Sequence, residues 1–529
     1  MLRTLLILTM LMSVVLAQHE PNIKCGFSEQ RHGERLARVM SDREFDYLDE
    51  SIVSPSGYFR IHFTRNGVHS VLNAADPGTP NFVLEAAAAA DSAYNLIVNE
   101  LGFQPPVADG GIDGDELDIY IVDMKENYGS IFYGMTTFPG SYSTPYTGLP
   151  TYLEIDNDYV ESQYATNGLA ALRVTIAHEF FHMVQLRYSY PFAPHESNPY
   201  WYEISSTWME EKCYPEVNDY HAYVADNFFQ TTFPNLEDAS SGYRYSYGHG
   251  LFGQILDIEY GYSGGKHIML DLWESLGNKE ATDNLESVLK SSRWNSSLTD
   301  ALGKYALYNV FTGSRAIPGE YYEDAVLLPE IRTSDYVLPS TFPTPYEFVL
   351  EPLQMGYKRF NAQSMSKIYI RGEDLTADQR VYLTQIEFGK GASLKAVISN
   401  PWIECDSVSS LDYFVFPMVN SNRNSTSTFK ITFQGDAIDL VTSIQSLWPN
   451  PSVLGESPLY LNLMLASPNT LRIKVYNIQG QTVFATREYH PDGIRILDLQ
   501  LPDDLPAGVY IIQIRAGRDT MSRKFTVLK

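Results

Sequence analysis

The segment His178-Glu179-Phe180-Phe181-His182 places two imidazoles four residues apart with a carboxylate between them. On a helix, that spacing sets both rings on one face, where they can offer nitrogen to a single ion while Glu179 projects beside them towards a water on that ion. A catalytic zinc takes three protein ligands and keeps its fourth position for water, whose pKa falls towards neutrality so that a nearby carboxylate can accept its proton. Two histidines leave such a set one ligand short. Glu203, in Trp201-Tyr202-Glu203-Ile204-Ser205-Ser206-Thr207-Trp208, follows His182 after 20 intervening residues, a distance that suits a helix, loop and helix return. Glu210, seven residues further on, competes for the third position, and Glu196, in the loop before Asn198-Pro199, is a weaker alternative. Thr207 is either a group that holds a ligand histidine or a packing residue. Hydrolysis of an acyl bond also needs a donor for the oxyanion, and Tyr247 and His249 in Tyr245-Ser246-Tyr247-Gly248-His249-Gly250 are the candidates, against a plain core placement for either.

The elements that must position these residues follow from periodicity. Tyr58 to Phe63 and Leu117 to Val122 read as strands, with an Ala-rich helix over Asn81 to Leu101 between them. Thr151 to Asp156 reads as an edge strand directly before an amphipathic helix over Leu169 to Arg187 that carries both histidines. Helices are predicted over Tyr202–Cys213, Gly250–Glu259, Lys266–Leu276, Leu285–Lys290 and Leu298–Phe311, whereas beyond Pro318 the pattern turns to short strands. The expected fold is an α+β zincin-like catalytic domain, a mixed sheet plus a helical subdomain, followed by two β-sandwich domains. The expected divisions are a signal peptide over 1–17, an N-terminal segment and candidate pro-segment over 18–50, the catalytic domain over 51–330, a β-sandwich over 335–440 and an Ig-like β-sandwich over 445–529.

These residues resemble the gluzincins, the zinc peptidase clan of thermolysin and aminopeptidase N, in which a glutamate on the following helix completes a His-Glu-x-x-His helix. The chain looks closest to a family of secreted bacterial metallopeptidases with His-Glu-Phe-Phe-His, then a Gln, here Gln185, then a segment ending Trp-x-Glu, here Trp208-Met209-Glu210. The resemblance spans about residues 55 to 315. It implies His178, His182 and Glu203 as zinc ligands and Glu179 as general base. One departure stands out: Ile204-Ser205-Ser206 replaces the Gly-Thr-Ala common after the ligand glutamate. Lys24-Cys25-Gly26 resembles the cysteine switch of some zinc-peptidase propeptides, where a thiolate fills the open metal position; a lone cysteine, or one paired with Cys213, is the other reading.

Residues Met1 to about Ala17 carry an early Arg3, an apolar run and a small final residue, the pattern of a secretory signal. The last 80 or so residues resemble the type A C-terminal sorting domain of the type IX secretion system found in Bacteroidetes-like bacteria. The matching residues are Pro449-Asn450-Pro451, Val475-Tyr476-Asn477 with Gly480-Gln481, Ala507-Gly508-Val509-Tyr510 and Lys529. That resemblance implies passage through the periplasm and outer membrane, with the secretion machinery as a partner and the cell exterior or surface as destination. No apolar stretch after the signal approaches the roughly 20 residues of a membrane-spanning helix.

A net charge of -26, from 64 acidic against 38 basic residues, argues against nucleic acid or anionic lipid as a partner. Three cysteines, Cys25, Cys213 and Cys405, cannot build a disulfide scaffold. Asp109, Asp113 and Asp115 with Asp118 form a Gly-rich acidic loop that makes Ca²⁺ a second candidate ion beside Zn²⁺, the alternative being a solvated turn. The expected function is a secreted zinc metalloendopeptidase acting on protein or peptide substrates, an extended substrate pairing with the strand near Tyr152–Asp156. A surface adhesin or binding protein with a structural, catalytically silent zinc is the alternative from another class, and zinc hydrolysis of a non-peptide amide or ester is a third.

Overall fold

A computed structural model describes residues 24–27, 45–108, 114–138, 148–190, 198–224, 228–229, 233–238, 244–338, 342–361, 367–387, 391–406, 408, 411–435, 442–453, 458–465, 469–490, 493–502 and 504–528. The signal-peptide assignment, Glu196 and the loop residues Asp109 and Asp113 lie outside the described residues. The chain is mixed α/β, with several sheets and a β-rich C-terminal region.

Two compact units divide the described residues, one from 24–224 and 238–288, the other from 228–237 and 289–528. The first is built on a five-stranded sheet of β1 (Glu50–Val53), β2 (Phe59–Phe63), β3 (Leu117–Val122), β4 (Gly134–Thr137) and β5 (Tyr152–Asp156), in the order β1-β2-β3-β5-β4. β2, β3 and β5 run parallel, and β4 closes the edge antiparallel to β5. Thr151 to Asp156 is therefore an interior strand, not the edge strand expected from the sequence. Edge position falls to Gly134-Met135-Thr136-Thr137, whose lack of alternation gives no strand signal.

Helix α1 (Asn81–Tyr94) runs into a π-helical turn over Asn95–Glu100. Its alanines Ala86, Ala87, Ala89, Ala90 and Ala93 are buried, and such small side chains let a second helix approach closely. That helix is α3 (Gly168–Gln185); the short α2 (Met124–Tyr128) precedes it. Every residue of α3 from Val174 to Gln185 is buried, so the expected amphipathic helix is a central one, covered by α1, by α4 (Pro199–Cys213) and by β4 and β5. A helix wrapped on all sides has no solvent stripe to keep polar. Pro199 stands at the first position of α4, where its missing N–H costs nothing. The short α5 (His221–Val224) and α6 (Arg244–Gly248) lead to α7 (Gly250–Glu259), which packs on α4, and then α8 (Ile268–Leu276) and α9 (Ala281–Leu289).

In the second unit, α10 (Leu298–Tyr308) packs on strands Gln379–Glu387 and Leu411–Asn420, so it belongs with the strand-rich unit and not with the domain expected over 51–330. A five-stranded and a four-stranded sheet share one apolar core that includes Phe348, Phe360, Ile370, Phe416 and Phe433. Further on, a three-stranded and a five-stranded sheet enclose a second core that includes Leu461, Leu463, Ile473, Ile512 and Val527. Among the described residues no helix is long and apolar enough to cross a membrane.

Candidate metal centre

His178 and His182 lie one turn apart on α3, and Glu203 reaches them from the first half of α4. His178 Nε2 stands 3.1 Å from His182 Nε2 and 3.1 Å from Glu203 Oε2, and His182 Nε2 is 3.5 Å from the same oxygen. Cys25 joins them: one donor atom from each of Cys25, His178, His182 and Glu203 lies within 4.8 Å of all the others. All four residues are buried.

The tautomers follow from the outer contacts. His178 Nδ1 is 2.6 Å from Glu210 Oε1, a carboxylate that can only accept, so Nδ1 carries the proton. His182 Nδ1 is 2.7 Å from Gln185 Oε1, whose amide orientation is fixed because its Nε2 donates to Tyr202 O, Ser205 Oγ and Ser206 Oγ at 3.0 to 3.1 Å. In the neutral rings both Nε2 atoms are then lone-pair acceptors, facing one another and a carboxylate. Three acceptors at that spacing repel unless a cation sits among them. Tetrahedral bonds of about 2.0 to 2.1 Å separate ligand atoms by roughly 3.3 Å, which the three observed distances straddle, and two imidazoles, a carboxylate and a thiol form a donor set that suits zinc. Without a metal the same crowding shows as charge. Burial alone would lower the His178 pKa, but Glu203 and Glu210 outweigh it and push it up to about 9. Burial would raise Glu203, and the two histidines hold it down at about 2 instead.

Glu210 thus meets the Nδ1 side of the His178 ring and is not one of the four clustered donors. Two turns separate it from Glu203 on one face of α4, enough to reach the far side of the same ring. Ser205 and Ser206, the departure from the Gly-Thr-Ala pattern, accept from Gln185 and so help to hold His182. Thr207 packs against Gly250, where a Cβ would stand 2.6 Å from its methyl, and its hydroxyl makes no described hydrogen bond.

Glu179 faces the sheet edge. Thr136 Oγ1, on β4, lies 2.8 Å from Glu179 Oε2 and 2.7 Å from Glu179 O. Gly134 makes that approach feasible, since a Cβ there would sit 2.7 Å from Thr175 Cγ2 and 3.0 Å from Glu179 Cγ. Tyr247 reaches the centre from α6, its hydroxyl accepting from Cys25 N–H at 3.2 Å and its ring 6.2 Å from His178. Burial, then Glu203, pushes the Tyr247 phenol far up, so it stays a proton donor. His249 is buried at the N-cap of α7.

In the segment 24–27 the tripeptide resemblance points Cys25 at the open metal position, where the structure places it, whereas the partners of Lys24 and Phe27 carry no sequence signal. Cys25 and Gly134 form a parallel bridge, with Gly26 N–H donating to Gly134 O at 3.0 Å. Phe27 stacks on the His182 ring at a centroid distance of 4.0 Å, beside Phe138 and Tyr202. Lys24, fully buried, is ion-paired with Glu210 and Asp219. Burial, then Glu179 and Glu203, raises the Cys25 thiol well above its ordinary value. Cys25 and Cys213 are both free, so the pairing alternative does not hold. Asp118, the described end of the candidate calcium loop, accepts from His62 Nε2 at 2.8 Å inside the sheet.

Comparison with protein families matches two separate stretches of the chain. Residues 73–313 match a family of unknown function, DUF6055, a stretch that includes β3 to β5, α3, α4 and the residues His178, His182 and Glu203. Residues 446–528 match the secretion system C-terminal sorting domain. This is a sorting domain for type IX secretion, and the protein is secreted or held at the cell surface. No curated protein matches the chain. Similar solved structures include PorZ, a surface component of the type IX system of Porphyromonas gingivalis, at 17% identity over 19% of this chain and 14% of that one, with a TM-score of 0.14. The periplasmic lysozyme inhibitor PliG of Salmonella Typhimurium matches at 12% identity over 20% of this chain and 98% of its own, TM-score 0.15. A glycosyl hydrolase family 2 member from Bacteroides cellulosilyticus matches at 8% over 32% and 28%, TM-score 0.15. At such scores the likenesses carry no argument about this chain.

Proposed function

We propose that the chain is a secreted zinc metallopeptidase whose first unit is zincin-like, with His178, His182 and Glu203 as ligands. The observation that carries this reading is the convergence of two imidazole lone pairs and one carboxylate, each imidazole already committed through Nδ1 to an acceptor behind it. Bound zinc would supply Lewis-acid chemistry, polarising the scissile carbonyl and making water acidic enough to be deprotonated near neutral pH.

The chain's own groups supply the rest. Glu179, one residue from His178 and held by Thr136, accepts the proton of the attacking water and passes it to the leaving amine. Tyr247, protonated and beside His178, donates to the oxyanion. An extended peptide adds to the β4 edge, where the N-terminal segment already pairs, and not to β5. A carboxylate at Glu179 favours catalysis over a purely structural ion, because a structural site needs no base.

Cys25 is the fourth donor in the described state, so a bound zinc would find all four positions filled and the centre silent. The test uses the protein collected from culture medium after export and freed of its N-terminal segment, with unfolded casein as substrate. Glu179→Gln should lower kcat/KM by about 10²- to 10⁴-fold while leaving one zinc per chain by metal analysis. Equal turnover by the two proteins would assign the activity elsewhere, and zinc without turnover in both would favour the structural-ion reading.

A further inference from the structure

A lysine ammonium with 1% exposure is rarely tolerated unless it is paired on every side, and Lys24 is the clearest case in the first unit. Its Nζ lies 2.5 Å from Glu210 Oε2, contacts Asp219 Oδ2, and stands 5.4 Å and 5.8 Å from the ring centres of Tyr133 and Tyr223. Both carboxylates are themselves buried, with 1% and 2% exposure. Glu210 spends its other oxygen on His178, and Asp219 its other oxygen on the Tyr133 hydroxyl at 3.2 Å, so one oxygen of each is left aimed at the cation. Take the ammonium away and two buried anions lose their common counter-charge. The pocket is thus built for a cation whichever chain provides it.

The main chain around Lys24 lies where the proposed function places a substrate peptide. Tyr133 N–H donates to Lys24 O at 2.9 Å and Gly26 N–H to Gly134 O at 3.0 Å, which lays the segment along the β4 edge. Cys25 sits at the four-donor centre, so the Lys24 side chain enters its pocket one residue away from the position where a scissile bond would lie.

We propose that the pocket of Glu210, Asp219, Tyr133 and Tyr223 is a specificity subsite for a cationic side chain, and that Lys24 is its internal occupant in the state described. The substrate class is a polypeptide with lysine or arginine adjacent to the cleaved bond. This assignment rests on the peptidase reading for its substrate, and on the two carboxylates alone for its charge.

Two measurements test it. The exported protein is given peptide series that differ only in the residue on either side of the cleaved bond, with Lys, Arg, norleucine or Glu. Lysine or arginine on one side should raise kcat/KM at least about tenfold over norleucine, the scale of a charged hydrogen bond, and Asp219→Asn should shrink that ratio. Separately, full-length Lys24→Ala should melt lower than wild type, with n-propylammonium chloride restoring part of the loss and n-propanol none. Cleavage without preference for a cationic residue overturns the subsite, as does equal rescue by the amine and the alcohol. Rescue by the amine alone, with no peptide cleaved, keeps the cation pocket and removes the peptidase reading instead.

Discussion

Cys25 and Gln185 show how single side chains decide the state of the centre. The Cys25 thiol lies among His178, His182 and Glu203, and its backbone N–H is tied to Tyr247. Full-length Cys25→Ala loaded with zinc should therefore hydrolyse unfolded protein where full-length wild type does not, because the fourth position is open to water. Unchanged latency, scored by release of labelled peptides, would remove the thiol from this role. Gln185 acts one shell further out, fixing the His182 tautomer through its carbonyl while its amide spans three oxygens of α4. Gln185→Ala should weaken zinc binding about 10- to 100-fold, read by competition with a chelator. Retained affinity would show that Ser206 Oγ, 3.2 Å from His182 Nδ1, and the stacked Phe27 suffice to hold the ring.

At the scale of elements, the centre depends on how closely β4 and the end of β5 approach α3. Gly134 permits the contact on one side. On the other, Asp156 at the end of β5 accepts from Tyr159, Met124 and Asp158 N–H groups at 2.8, 3.2 and 3.3 Å. Burial nevertheless outweighs those bonds and lifts its carboxyl to about 7. An unfolded aspartate titrates near 3.9. Between those values the folded chain keeps a proton that the unfolded chain has lost, so this group makes stability fall as pH rises from about 4 to about 7. Asp156→Asn should flatten that part of the profile, measured as urea midpoints across the range. A slope as steep in the variant as in wild type would place the titration on another residue. The edge role of β4 was not legible in the sequence, since Gly134-Met135-Thr136-Thr137 neither alternates nor carries a turn signal, and strand order is set by pairings that local pattern does not encode.

Across the whole molecule, the sorting domain and the four-donor centre occupy separate stretches of chain. The sorting domain over 446–528 directs type IX secretion, so a chain truncated before residue 446 should accumulate in the periplasm. Immunoblots of medium and periplasmic fractions check this, and undiminished truncated protein in the medium would contradict it. The sorting sequence could be read directly because its turn and strand residues stand close together in sequence, as with Asn477-Ile478-Gln479-Gly480, where Asn477 closes the turn on Gln479 and Gln481. His178, Glu179 and His182 were legible for the same reason, since one helical turn sets their relation. Spacing points to Glu203, with Glu210 as its rival. Which glutamate turns towards Nε2 and which towards Nδ1 of one ring depends on how α4 lies against α3, and no local pattern carries that. Lys24 and Asp219 lie 195 residues apart, and only tertiary burial, which forces an ammonium and two carboxylates to find one another, brings them together. By itself the sequence determined the donor types, the helix that carries two of them and the route out of the cell. The packing of α3 between β4 and α4 decided the rest, because desolvation makes each buried charge take the partner that geometry places beside it.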